Sequence, residues 1–233
     1  MSIIEMFESI QGEGQYIGTP SIFIRFSGCN LKCSWCDTKY SWTEKGKYTW
    51  KDAIRFIKEN SLYKHIVFTG GEPLLSKNQE DIMRIIQNTM IVDSRITIET
   101  NGIILPYHSL QLLMKIRGLW SVSPKLQFLE KYNLNTLRYF DSIKNHQWKF
   151  VIDDIKPDIE KILDLIQKEV IHPAIDNTII LQPNGQKELA KEDIFWYADA
   201  CQQLSEYIID NNLTGFRVLP QFHKICWGNK RGI

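Results

Sequence analysis

Net charge is almost absent from this sequence: 28 lysines and arginines stand against 27 aspartates and glutamates, a balance of +1 over 233 residues. A surface with no basic excess lacks the phosphate-neutralising footprint on which non-specific nucleic-acid binding rests. Long apolar runs are missing too, since no stretch approaches the roughly 18 uninterrupted apolar residues of a membrane-spanning helix. The first eleven residues carry Glu5 and Glu8 and no basic residue ahead of an apolar run, which is not the pattern of a secretory signal. Repeats, low-complexity tracts and linkers are also lacking. Proline (8) and glycine (13) are sparse and 43% of residues are hydrophobic, which excludes a collagen-like or disordered chain. The expectation is a soluble, cytoplasmic protein with no direct contact to nucleic acid or membrane, folded as a single domain over residues 1–233.

What recurs is a short β-rich run followed by a helical pattern. Strands are expected at 21–26, 65–69, 95–100, 119–123, 147–152, 178–182 and 215–219, each rich in β-branched or aromatic residues. Thr49 and Asp52 read as a capping box ahead of Ala53, Ile54 and Ile57. Apolar stripes at Ile82, Ile85 and Ile86, and at Leu110, Leu113 and Met114, mark two further helices. Pro157 suits a first helical turn before Ile159, Ile162, Leu163 and Ile166. Residues 191–209 read as a long aromatic-rich helix, and 126–145 show no clear pattern. Alternating strands and helices imply an α/β fold with parallel pairing. Seven strands fit either a partial (incomplete) TIM-type (β/α) barrel or an open doubly wound sheet. In both, ligands gather beyond the C-terminal strand ends. The polar or glycine-bearing exits after Thr69, Thr100, Ser123, Gln182 and Leu219 lie there.

Five cysteines in a chain expected to be cytosolic should be thiols, so their spacing concerns metals or catalysis. Cys29, Cys33 and Cys36 form C-x3-C-x2-C just after a strand, and three thiolates so close can converge on one soft metal centre. Cys201 and Cys226, far away in sequence, read as buried packing residues. A zinc site completed by His223 or a distant cysteine remains open, although structural zinc loops more often use paired C-x2-C hooks. Three cysteines would instead leave one iron of a [4Fe–4S] cube without a protein ligand, whereas electron-carrying clusters use four. Ligand softness alone does not separate the two.

The cysteine motif together with Gly70-Gly71-Glu72-Pro73 after a strand resembles the radical S-adenosylmethionine (SAM) enzymes. Further blocks narrow the resemblance: Phe7 to Gly14 (FESIQGEG), Cys36-Asp37-Thr38, Ser123-Pro124-Lys125 and the closing WGNKRGI are similar to the 7-carboxy-7-deazaguanine synthases. The resemblance implies a partial barrel of the radical SAM type and a [4Fe–4S] cluster whose open iron binds SAM. A 5′-deoxyadenosyl radical then drives ring contraction of 6-carboxy-5,6,7,8-tetrahydropterin to 7-carboxy-7-deazaguanine with loss of ammonia. It also implies Mg2+, a flavodoxin-type electron donor and a homodimer. No side chain is assigned as catalytic, because the radical arises at the cluster–SAM centre.

The same resemblance implies roles for particular residues. Cys29, Cys33 and Cys36 ligate the cluster, and Thr38 ligates Mg2+, although spacing alone would make Thr38 a helix cap. Trp35, Cys36, Asp37, Gly71, Glu72, Ser123, Pro124, Lys125, Gln182, Pro183, Asn184 and Gly185 contact SAM. Tight-turn chemistry accounts for Gly70, Gly71 and Pro73 equally well when taken alone. The pterin is assigned Ile10, Gln11, Gly12, Glu13, Arg25, Thr69, His223 and the main-chain carboxylate of Ile233. The bland alternatives are a surface salt bridge for Arg25, a satisfied structural histidine for His223 and a solvated tail for Lys230 and Arg231. Two rival functions remain: another radical SAM enzyme such as a glycyl-radical activase, and a zinc-stabilised binding module.

Overall fold

Residues 1–89, 94–173, 179–186, 194–228 and 230–232 are described by the structure, a computed structural model. Among them, eight strands form one sheet in strict chain order. They are β1 (Ile3–Ile10), β2 (Pro20–Phe26), β3 (His65–Gly70), β4 (Arg95–Thr100), β5 (Gly118–Val122), β6 (His146–Ile152), β7 (Ile179–Pro183) and β8 (Phe216–Val218). Helices α1 (Trp50–Glu59), α2 (Ser76–Thr89), α3 (His108–Met114), α4 (Leu134–Ser142), α5 (Ile155–Gln167) and α6 (Ile194–Asp210) connect β2 to β8, and α7 (Phe222–Trp227) follows. Strands β2 to β8 pair parallel, while β1 runs antiparallel to β2.

That order decides between the two expected architectures. A doubly wound sheet reverses its strand order at a switch point. Here the order never reverses, so right-handed crossovers put the connecting helices on one face and leave the other face turned inward. The fold is a partial α/β barrel, with β1 and β8 as its two edges.

Strand periodicity sorts the residues between the faces. Ile22, Ile24, Phe26, Ile66, Phe68, Ile98, Trp120, Val122, Trp148 and Phe150 are buried in one core with Ile82, Ile85, Leu110, Met114, Leu137, Phe140, Ile159 and Ile162 from the helices. Each such fully buried side chain contributes roughly 1.5–3 kcal/mol. Many of the alternate positions are polar, and parallel register lines them up: Arg25 opposite Thr69, Glu99 opposite Ser121, and Ser121 opposite Gln147, with Val151 opposite Gln182. Side chains on one register row share a face, so the strand sequences build a polar barrel interior.

The unexpected strand is β1. Its Glu5 and Glu8 interrupt the apolar run, and an edge strand tolerates that because one side meets solvent. Antiparallel pairing brings Ile10 beside Pro20, at the start of β2 rather than its end. Residues 11–16 therefore enter the barrel from below. Gln15 N–H donates to Gln147 Oε1 at 2.8 Å, and Gln11 Nε2 to Glu99 Oε1 at 3.2 Å. Phe222 N–H donates to the Gly12 carbonyl at 2.8 Å and bridges the gap between the edges.

Local signals are met where they were strong. Thr49 and Asp52 form the reciprocal capping box of α1. The region without a pattern folds as a short 3-10 segment, Leu126–Lys131, followed by α4, whose N-cap Asn133 accepts from Asn135 N–H at 2.9 Å. Thr178 and residues 191–193, at the starts of two expected elements, lie outside the described residues. The packing role expected of Cys226 is corrected: the six-residue α7 turns that thiol to solvent, and Cys201 is half-buried.

Candidate active site

A single cavity of about 480 Å³ opens at the strand exits and extends down to the 11–13 segment. Its lining includes Cys29, Cys33 and Cys36 together with Gln11, Glu13, Thr69, Glu99, Lys149, Gln221 and His223. The cysteine loop is fixed by backbone contacts. Gly28, at φ +86°, donates its N–H to the Ser41 carbonyl at 2.7 Å, and its own carbonyl accepts from Glu72 N–H at 2.7 Å. Gly71 N–H donates to the Phe26 carbonyl at 3.0 Å. A Cβ on Gly71 would fall onto the Gly28 carbonyl, so glycine is required for the β3 exit to lie against the loop.

Within the loop, Leu31 N–H points to Cys29 Sγ and Thr38 N–H to Cys36 Sγ, both at 3.4 Å. Burial pushes the Cys29 thiol up to about 11 and also raises Cys33 and Cys36, while Lys125 works the other way at Cys33 and Cys36. No set of three or more His, Cys, Asp or Glu among the described residues is arranged to hold a single metal ion. Three thiols spaced around one cavity, with amides directed at two of the sulfurs, fit a group with several metal atoms. Binding it displaces their protons.

Around the cysteines the expected residues divide. Trp35 stacks on Phe128 at 6.2 Å and lines the cavity, as do Asp37, Thr38, Gly71, Ser123, Lys125 and Asn184. Thr38 Oγ1 donates to Asp37 Oδ1 at 2.5 Å, although Thr38 also precedes a 3-10 turn, where it makes no side-chain cap bond. Lys125 Nζ donates to Ser123 Oγ at 2.9 Å. Glu72, Pro124, Gln182, Pro183 and Gly185 are not brought into the lining. Glu72 is fully buried and accepts from Leu74 N–H (2.8 Å), Thr100 Oγ1 (2.7 Å) and Asn101 N–H (2.8 Å), which ties the β3 exit to the β4 exit. Glu72, expected to contact SAM, thus stands behind the cavity wall rather than in its lining. Gln182 is likewise buried, with Nε2 near the Pro220 carbonyl at 3.4 Å, and Gly185 N–H donates to Gln221 Oε1 at 3.1 Å.

The residues expected for the pterin, Ile10, Gln11, Gly12, Glu13, Arg25, Thr69 and His223, all line the cavity, with His223 Nε2 3.9 Å from Asp37 Oδ2 of the cysteine loop. Glu99 receives Gln11 Nε2 on one oxygen and Thr69 Oγ1, at 2.8 Å, on the other. Gln221 Nε2 donates to Glu13 Oε1 at 2.6 Å, and Lys149 pairs with Glu13 Oε2. Arg25 carries both of its readings, since it lines the cavity while its Nε donates to Glu5 Oε2 at 3.0 Å. Arg231 joins the same carboxylate and forms a bidentate pair with Glu44 at 2.8 and 2.9 Å, its guanidinium 3.6 Å from the Tyr40 ring centroid. The tail is thus anchored through Arg231, while Ile233 lies outside the described residues.

Glu99, Lys149 and Gln221 are given no site role by the sequence reading, and Arg231 enters there only through the closing motif and as a residue of a solvated tail. A usable signal existed for two of them: Glu99 and Lys149 are charges inside apolar strands, at positions whose alternation turns them inward.

Comparison with known proteins agrees with this geometry. The family model described as Radical SAM superfamily matches residues 23–184. A protein of Clostridium acetobutylicum called 7-carboxy-7-deazaguanine synthase is 33% identical over 99% of this chain and 98% of its own. Proteins of the same name from Leptospira interrogans and Thermoplasma acidophilum are 32% and 30% identical, each over 100% of this chain and over 98% and 100% of their own lengths. The crystal structure of QueE from Escherichia coli superposes with a TM-score of 0.67 at 25% identity, covering 95% of this chain and 94% of that one.

The chain belongs to the Radical SAM superfamily, a class of enzymes that implies a [4Fe–4S] cluster and SAM. Within that class its full-length relatives place it in the 7-carboxy-7-deazaguanine synthase family.

Proposed function

We propose that this enzyme converts 6-carboxy-5,6,7,8-tetrahydropterin to 7-carboxy-7-deazaguanine and ammonia, in the cytoplasm, as a single-domain protomer of a homodimer that receives electrons from a flavodoxin-type donor. The two carbon skeletons and the ammonia balance without net oxidation, so SAM acts as a regenerated initiator. Bound at Cys29, Cys33 and Cys36, the cluster supplies the one-electron chemistry together with SAM. Trp35, Asp37, Ser123, Lys125 and Asn184 are the lining residues we assign to SAM. Gln11, Glu13, Thr69 and His223 we assign to the pterin, and Thr38 to Mg2+, which keeps most of its water or substrate oxygens.

One observation carries this reading: the three thiols and a dense set of amide and carboxylate groups share one cavity. A pterin has an amide–amidine edge that both donates and accepts, and Gln11 with Glu13 offers the complementary pattern. A glycyl-radical activase has no need of such a floor, and a zinc-stabilised module has no need of the cavity. The test is an anaerobic assay of reconstituted protein with SAM, a reductant and the carboxytetrahydropterin. A product lighter than substrate by one ammonia supports the reading. Cleavage of SAM with unchanged pterin would refute the substrate.

A further inference from the structure

Lys149 occupies the middle of β6, in the run His146–Ile152. Its side chain is 7% exposed, and it faces the cavity among Glu13 from the floor segment, Glu99 from β4 and Asp37 from the cysteine loop. Lysine is almost never buried without a partner, and here the partner is Glu13, 16% exposed and held from its other side by Gln221. An ion pair inside a cavity wall costs several kcal/mol of desolvation per charge. Its neighbours on β6, Trp148 and Phe150, belong to the apolar core, whereas Lys149 faces the cavity.

We infer that Lys149 is a positioning residue for substrate: it holds Glu13 as a carboxylate, in one orientation, so that its remaining lone pairs accept hydrogen bonds from the amino and ring N–H groups of the pterin. This inference rests on the assignment of Glu13 to the pterin made above. A carboxylate offers about four acceptor sites, and Lys149 and Gln221 occupy two of them. If protonated, the group would become a donor facing donors. Burial pushes Glu13 upward, while Lys149 first and then His223 draw it down to about 2, so it stays ionised across any working pH. The other groups facing the pair, Glu99, Asp37 and the Tyr197 hydroxyl, are anionic or neutral and cannot replace the lysine.

The sign of the test follows. Without Lys149, only His223 and the Gln221 hydrogen bond are left to oppose burial, so the pKa of Glu13 rises. As pH falls, a Lys149→Met enzyme should therefore lose substrate affinity where the unaltered enzyme does not.

The experiment measures KM for the carboxytetrahydropterin as a function of pH in Lys149→Met, Lys149→Arg and Glu13→Gln enzymes. Iron content and substrate-free SAM cleavage serve as controls. Lys149→Met should raise KM at least about tenfold near neutrality, the usual worth of a hydrogen bond to a charged group, and should add a further rise toward acid pH. Lys149→Arg should restore most of the affinity and the flat profile. A Lys149→Met profile parallel to that of the unaltered enzyme would overturn the inference, as would an equal loss in Lys149→Arg. If Lys149→Met does not fold, Lys149→Gln supplies the same comparison. A Glu13→Gln enzyme with unchanged KM would instead overturn the substrate assignment itself, and the inference with it.

Discussion

The amide of Glu72 donates to the carbonyl of Gly28 at 2.7 Å, and that single bond joins the exit of β3 to the start of the cysteine loop. It unites two motifs, Gly-Gly-Glu-Pro and C-x3-C-x2-C, that lie about forty residues apart in sequence. The approach is possible because Gly71 has no side chain, while the Glu72 carboxylate, buried and with its pKa raised by that burial, anchors the turn from behind. Motif spacing is thereby converted into the geometry of one site.

Gly71→Ala should disturb that contact before anything else. The added methyl has backbone atoms on its path, so we expect a loss of about 2 kcal/mol in stability and iron incorporation below half that of the unaltered enzyme. Urea unfolding and iron analysis measure both. Normal values for the two would show that the loop does not depend on this approach.

Gln11→Ala removes the side chain that reaches Glu99 and orients Glu13 through its N–H, which donates to Gln11 Oε1 at 3.2 Å. We expect KM for the pterin to rise about tenfold, with iron content and substrate-free SAM cleavage unchanged. An unaltered KM would remove the floor segment from substrate recognition.

Arg231 anchors the tail through Glu5, Glu44 and the Tyr40 ring. The side chain is 42% exposed, so Arg231→Ala should cost less than about 1 kcal/mol of stability. Because Arg231 lines the cavity and shares Glu5 with Arg25, we expect a rise in KM of about three- to tenfold with kcat nearly constant. Raising the salt concentration tenfold should weaken substrate binding in the unaltered enzyme more than in the variant. Equal salt dependence in both would contradict an anchoring role.

His65 predicts a pH effect on stability alone. It lies buried between Ser21 Oγ and Thr97 Oγ1, at 2.8 Å from each, and burial with the nearby Arg95 lowers its pKa from 6.5 to about 4. The unfolded chain takes up the proton first, so stability falls as pH drops from about 6.5 to about 4 and then levels off, by an amount on the order of 3 kcal/mol. Denaturant titrations at several pH values should show this slope, and His65→Asn should flatten it. A variant with the same slope would place the titration elsewhere.

Seven strands were legible because each is rich in β-branched or aromatic residues and five of them end in a polar or glycine-bearing exit, and the cysteine loop because three thiols so close have few other uses. β1 escaped because Glu5 and Glu8 break its apolar run, and those same glutamates proved to belong to an edge strand. The parallel register that places Glu99 beside Ser121 and turns Lys149 inward is a long-range property, so the sequence shows an odd charge in each strand without showing that both meet one cavity. Glu72 misled for a related reason. Its motif suggested a contact to SAM, whereas two of its three hydrogen-bond donors, Thr100 and Asn101, come from the β4 exit that only the folded chain brings near. Cys226 misled because α7 is too short to bury both of its sides.

The most direct measurement is metal and sulfide analysis of protein reconstituted without oxygen, alongside a Cys36→Ala variant. The account predicts a brown protein with about four irons per chain, able to cleave SAM when reduced, and a colourless, inactive variant. A colourless enzyme holding one zinc per chain, or a Cys36→Ala variant that keeps its iron and still cleaves SAM, would contradict it.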